Sequence, residues 1–377
     1  MNKQDTRVPV TLLTGFLGAG KTTLLNSLIR DPGAGRIAVV INEFGDVGLD
    51  HDLIEESTEE TILLPSGCLC CSIRGDLMKS LGKLIARRNS GSLAFDRVVI
   101  ETTGIADPGP ILHSFVVDRL VGPYFRMDGI VTVADAATGS TTLQKQFEAA
   151  SQVAMADLIV LSKLDLVTPA ALARFEAQIA EINATATRVR AAHGHVATKK
   201  LFGLSAMRAN VTPDVVSKWL GAGAAPPDPL AGLSGFAPKP DKPAALSAPT
   251  DAAPAHHNHR INSASIEMAE PVAADVFDFW LETLMTIKGP NILRIKGILH
   301  VEGMNWPFVF HGVQHIFDPP VPLKSWTHED KTSRVVVIAR DMSAEDLAAS
   351  LDLLRMQAVG MDKAAKALDV EINELPL

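Results

Sequence analysis

"GFLGAGKT", Gly15 to Thr22, decides how this 377-residue chain is read. It matches G-x-x-x-x-G-K-[ST], follows the apolar β-branched run "VTLLT" and leads into a helical segment, the strand–loop–helix setting that a phosphate cradle needs. Chance produces such a match in a chain of this length about once in a hundred. The glycines let successive backbone N–H groups turn inward on phosphate oxygens, and a helix starting near Gly20 adds its positive dipole end. Lys21 is placed to neutralise the outer phosphates, and the Thr22 hydroxyl to ligate Mg²⁺. Gly15, Gly18, Ala19, Gly20 and Thr23 complete the expected cradle.

Around this loop, short apolar runs alternate with segments long enough for helical crossovers: "RIAVVIN" from Arg36, "RVVIE" from Arg97, "GIVTVAD" from Gly129, "DLIVLS" from Asp157 and "TRVRAA" from Thr187. Continuous apolar strands of this kind suit a parallel sheet covered on both faces. The expectation is an α/β fold, a P-loop NTPase domain with a mostly parallel sheet flanked by helices, over residues 1–220. "ETTG" puts Glu101 at the carboxyl end of a strand, where it can hold a Mg²⁺-bound water, and puts Gly104 where its N–H can meet a γ-phosphate. "SKLD" ends another strand. Asp165 there can accept two hydrogen bonds from guanine, whereas adenine offers an acceptor in the same place, so the motif points to GTP. Lys163 can lay its stem across the base, and Ser162 stands beside it.

All three cysteines, Cys68, Cys70 and Cys71, fall within four positions. Adjacent thiols bridge poorly and an odd number cannot all pair, which argues against a disulfide framework and for a reducing, cytoplasmic setting. Three thiolates suit Zn²⁺, Co²⁺ or Cu⁺ and leave a coordination position for an exchangeable ligand. Two alternatives are a redox couple and ordinary buried cysteines. Glu43, Asp46 and His51 lie in the same stretch between strands, where nucleotide-responsive switches occur, and are candidates for the missing ligand.

Residues 221–260 are rich in Pro, Ala, Gly and Ser and include "HHNH" at His256–His259, a linker composition with a metal-collecting tract. From Ile261 to Leu377 the pattern resumes as a smaller α+β domain, with alternating "NILRIKGILHV" and "FVFHGVQHIF" and a capping-box start at Ser343. His311 and His315 are read on one strand face. A net charge of −8 with no Lys/Arg block argues against nucleic acid as partner, and no apolar run is long enough to cross a membrane.

"GFLGAGKTTLLN", "INEFGDVGLD", "GCLCCSIR", "ETTGIADPGP" and "QVAMADLIVLSKLDLV", in this order, resemble the CobW-like family of P-loop GTPases, which includes metallochaperones. "LRIKGILHVEG" and "FVFHGVQHIFD" are similar to that family's C-terminal domain. The resemblance implies a slow GTPase that binds a transition metal, zinc or cobalt, at Cys68, Cys70 and Cys71 in step with its nucleotide state. Its partners would be GTP and a client metalloprotein, and a homodimer stays open. The resemblance also implies that Ser162, Lys163 and Asp165 contact guanine, with Ser162 departing from the asparagine more usual in GTPases. Two rival readings are a metal buffer or sensor of a different class, regulated by GTP and without a client, and an accessory GTPase for cobalamin synthesis or nitrile hydratase activation.

Overall fold

The computed structural model describes residues 5–42, 63–65, 73–118, 121–206, 211–221, 260–317, 319–324, 326 and 330–356. Cys68, Cys70, Cys71, Glu43, Asp46, His51 and the His256–His259 tract lie outside these.

The first domain opens with β1 (Val8–Thr14), the loop 15–20 and α1 (Lys21–Ile29), then β2 (Ile37–Asn42) and the short β3 (Leu63–Pro65). It continues through α2 (Ile73–Asn89), β4 (Arg97–Thr102), α3 (Gly109–Val117), β5 (Phe125–Asp135), α4 (Gly139–Lys145), α5 (Phe147–Met155), β6 (Leu158–Ser162), α6 (Pro169–Ile182), β7 (Thr187–Arg190) and α7 (Pro213–Trp219). The sheet order is β3-β2-β4-β1-β5-β6-β7, and every pairing among the described residues is parallel. Strands such as Leu158–Ser162 are buried along their whole length because apolar layers cover both faces. Thr168 caps α6 by accepting the Ala171 N–H, with Pro169 in the first turn.

The second domain contains β8 (Ile261–Met268), α8 (Ala274–Lys288), β9 (Ile292–Leu299), β10 (Phe308–Val313), β11 (Ile316–Phe317), β12 (Val321–Pro322), β13 (Ser333–Arg340) and α9 (Ala344–Asp352). These strands pair antiparallel in the order β11-β10-β9-β13-β8, with β12 on β10. Ser343 caps α9 by accepting the Asp346 N–H. One sheet face packs on α8 and α9 through Trp280, Leu284, Leu347 and Leu351. The other packs on the first domain: Leu293, Val313 and Ile316 join its core, and Ile298 and Val309 meet Val216 and Trp219 of α7.

Two readings of the C-terminal strands change. "FVFHGVQHIF" is two strands, because Gln314 adopts φ 54 and turns the chain back on itself. His311 and His315 therefore do not share a strand face. The His311 ring meets Trp219 edge-on at 6.1 Å, and the His315 ring lies 5.3 Å from His113. The second change is in β9, whose eight residues are all buried, Arg294 and Lys296 included.

Those two cations converge on Asp157, the residue just before β6 in the first domain. Arg294 donates to the Asp157 carboxylate and to the Met155 carbonyl, and Lys296 Nζ lies 3.1 Å from Asp157 Oδ1. Asp157 Oδ2 also accepts the Ile130 N–H at 3.0 Å. Burial, and then the charge of Arg294, push the Lys296 ammonium down to about 8, while Asp157 pulls it the other way. Between pH 8 and about 10.4 the unfolded chain holds a proton that folded Lys296 has released, so stability rises with pH across that window. Thermal midpoints measured from pH 8 to pH 10 should show this gain in the wild type relative to Lys296→Met; parallel curves would exclude it.

Candidate nucleotide site

The carboxyl ends of β1, β4, β5, β6 and β7 form one edge of the parallel sheet, and the loop after β1 lies there. Gly15 takes φ 142, and a Cβ on it would overlap the Val133 carbonyl oxygen of β5. Gly18 and Gly20 also have positive φ, 71 and 99, so three turns that L side chains resist carry the chain around the cradle. Lys21 begins α1, is 8% exposed, and folds back so that Nζ donates to the Gly15 carbonyl at 3.0 Å. The loop is thus pre-shaped, with its cation at the rim.

Glu101, the penultimate residue of β4, pairs in register with Leu13 of β1 and is 3% exposed. The Thr22 hydroxyl donates to Glu101 Oε1 at 3.0 Å, so a neutral oxygen and a carboxylate oxygen meet beside the loop. Hard oxygen donors of this kind fit Mg²⁺. One step further on, Gly104 presses against the cradle: a Cβ on it would come within 2.5 Å of Leu17 N. Gln152 of α5, almost fully buried, donates to the carbonyls of Gly104 and Ala106, at 3.1 Å each.

The Ser162 hydroxyl donates to the Ala19 carbonyl at 2.7 Å, tying β6 to the phosphate loop. That contact braces the cradle. Lys163 sits at φ 54 and its Nζ contacts Asp135 Oδ2 at 2.8 Å, which directs its stem along the sheet edge. Burial alone would push the Asp135 carboxyl up, but hydrogen bonds from Lys163, the Ala137 N–H and the Thr138 hydroxyl hold it below the usual carboxylate range. Asp165 lies in the turn Leu164–Leu166 with its side chain exposed.

The turn after β7 is part of this edge too, and its residues were not among those singled out from sequence. His193 and Gly194 both have positive φ, a Cβ on Gly194 would come within 2.6 Å of Thr23 Cγ2, and His195 Nδ1 lies 2.9 Å from Ser27 Oγ. The turn packs along α1 beside Thr23, next to the Ser162–Asp165 segment. "HGH", two alanines beyond the end of β7, was the available signal.

Among the described residues no group of three His, Cys, Asp or Glu side chains is arranged to hold a metal, and no helix is long and apolar enough to cross a membrane.

Known proteins share this arrangement. The CobW/HypB/UreG nucleotide-binding domain matches residues 9–190, and the cobalamin synthesis protein CobW C-terminal domain matches residues 261–355. The zinc chaperone YjiA of Escherichia coli is 31% identical over 348 residues, covering 92% of this chain and 99% of its own length. The zinc chaperone CobW of Pseudomonas aeruginosa is 28% identical, covering 92% and 91%. The zinc-regulated GTPase metalloprotein activator 1 of Schizosaccharomyces pombe is 39% identical over 196 residues, 50% of this chain and 47% of its own. The crystal structure of Zn(II)-bound YjiA GTPase from E. coli superposes with a TM-score of 0.68 at 26% identity over 93% of this chain and 99% of that one. On its two domains and its phosphate loop alike, the chain belongs to the CobW/HypB/UreG family of nucleotide-binding proteins and carries the CobW C-terminal domain.

Proposed function

We propose that this protein is a GTP-hydrolysing zinc metallochaperone whose metal affinity follows its nucleotide state. The observation that carries the nucleotide half is the Thr22–Glu101 hydrogen bond beside a pre-shaped loop with Lys21 at its rim. GTP is the substrate. Gly15, Gly18, Ala19, Gly20, Lys21 and Thr23 receive the triphosphate, Gly104 N–H faces its γ end, and Ser162, Lys163 and Asp165 receive the base. Thr22 and Glu101 are the residues that would hold Mg²⁺. When bound, that ion neutralises charge developing on the phosphate oxygens. With no arginine finger assigned, turnover is slow, on the order of 10⁻⁴ to 10⁻² per second.

The metal half rests on the chemistry of Cys68, Cys70 and Cys71, on the zinc named for the YjiA and CobW relatives, and on the position of "GCLCC" between β3 and α2. That segment leads into α2, which precedes β4, the strand that carries Glu101. GTP orders the stretch containing Glu43, Asp46 and the thiols into a binding arrangement, and hydrolysis loosens it so that the ion passes to a client metalloprotein. Linkage requires metal to tighten GTP binding by the same factor.

Competition titrations of Zn²⁺ and Co²⁺, with and without Mg²⁺ and a non-hydrolysable GTP analogue, test the reading. The analogue should tighten Zn²⁺ binding by about 5- to 150-fold, the usual range of coupling energies. Cys70→Ser with Cys71→Ser should abolish both the binding and its nucleotide dependence. Affinity indifferent to nucleotide would end the coupling half of the proposal.

A further inference from the structure

The loop between Thr103 and α3 carries the Gly104 N–H, and it is gripped from both domains. Gln152 holds its first half through the carbonyls of Gly104 and Ala106. Its second half is held by a residue some two hundred positions away. Gln314, in the turn between β10 and β11, donates its side-chain amide to both carboxylate oxygens of Asp107, at 3.0 and 2.8 Å. Asp107 Oδ1 in turn accepts the Gly109 N–H at 2.9 Å, which sets the start of α3.

The fit is close. Gly109 is buried, and a Cβ on it would run into the Gln314 amide. The left-handed turn at Gln314 is pinned by its own N–H, which donates to the Leu293 carbonyl at 3.2 Å, and the next residue, His315, lies against His113 one turn into α3. A C-terminal domain that merely packed on the first would not need an amide aimed at the one carboxylate that starts α3.

We propose that Gln314 is a positioning residue for nucleotide hydrolysis, supplied by the C-terminal domain: through Asp107 it holds the 103–109 loop so that the Gly104 N–H stays set over the phosphate loop. The inference rests on the GTPase reading above. Donors held in place before charge develops contribute to the rate, whereas donors on a loose loop must first be ordered. Loss of Gln314 should therefore lower kcat and spare ground-state binding, which the phosphate loop and the base contacts carry.

Phosphate release from GTP by the full chain is the test, with KM and thermal midpoint measured alongside. Gln314→Ala should lower kcat about fivefold with KM little changed. Gly109→Ala, which leaves Gln314 in the sequence but displaces its amide, should do the same, and combining the two should cost no more than either alone. Gln314→Lys restores a donor to Asp107 and should recover most of the rate. Variants with wild-type kcat overturn the inference, as does a change confined to KM. A rate loss that tracks a fall in thermal midpoint and is not recovered by lysine also overturns it. A wild-type chain that releases no phosphate from GTP overturns the GTPase reading and the inference with it; a wild-type chain that does, with variants equal to it, overturns the inference alone.

Discussion

Lys21→Ala should lower GTP turnover by about 10²- to 10³-fold, the range seen when one preorganised donor to a developing charge is removed. The ammonium stands at the rim of a loop that three positive-φ glycines have already bent, and it donates to the Gly15 carbonyl. Swinging that ammonium from a carbonyl to a triphosphate needs no refolding of the backbone. Alanine removes the charge and leaves the cradle's N–H groups and the α1 dipole in place, so nucleotide binding should weaken less than turnover. Separate measurement of GTP affinity and of phosphate release distinguishes the two. Equal losses in both would mean that Lys21 only holds substrate, and an unchanged rate would place the chemistry elsewhere.

Much of that cradle was legible in the primary structure because its constraints are local. Gly15, Gly18 and Gly20 are spaced by the turns they make, and Glu101 lies near the end of a strand whose apolar run announces it. What escaped notice depends on residues far apart. "NILRIKGILHV" has the alternation of a half-exposed strand, yet β9 is buried on both faces, because Arg294 and Lys296 face another domain and meet an aspartate that lies 137 positions from Arg294. No periodicity reports a partner at that distance. In "FVFHGVQHIF" neither glycine nor proline occupies the turn at Gln314, whose left-handed conformation is paid in strain and repaid by the Leu293 and Asp107 contacts, neither of them local. The tie from the Ser162 hydroxyl to the Ala19 carbonyl likewise joins residues 143 positions apart, which a four-residue motif does not report. The three-residue β3 is too short to signal itself by pattern.

Asp157→Ala should destabilise the folded chain by about 3 to 5 kcal/mol, because it removes the carboxylate that Arg294 and Lys296 share and leaves two buried cations facing each other. The Ile130 N–H would lose its acceptor as well. Against a total stability of about 5 to 15 kcal/mol, such a loss is close to disabling. Replacing the whole cluster is a different matter: Asp157→Leu with Arg294→Met and Lys296→Met removes the desolvation of three charges together and should come out within about 1 kcal/mol of the wild type or above it. The contrast separates a network that stabilises from one that specifies how the domains dock. Acid provides an independent check. Burial alone would push the Asp157 carboxyl up, but Arg294, Lys296, His311 and the Ile130 N–H together hold it well below the usual range. Its contribution is therefore complete above the unfolded value near 3.9 and is lost as pH falls below it, when the unfolded chain takes up the proton first. Denaturation midpoints followed from pH 6 down to pH 3 should fall more steeply in the wild type than in the triple variant. Matching slopes, or an Asp157→Ala protein as stable as its parent, would mean that the two cations find other partners and that the docking of the domains does not depend on this carboxylate.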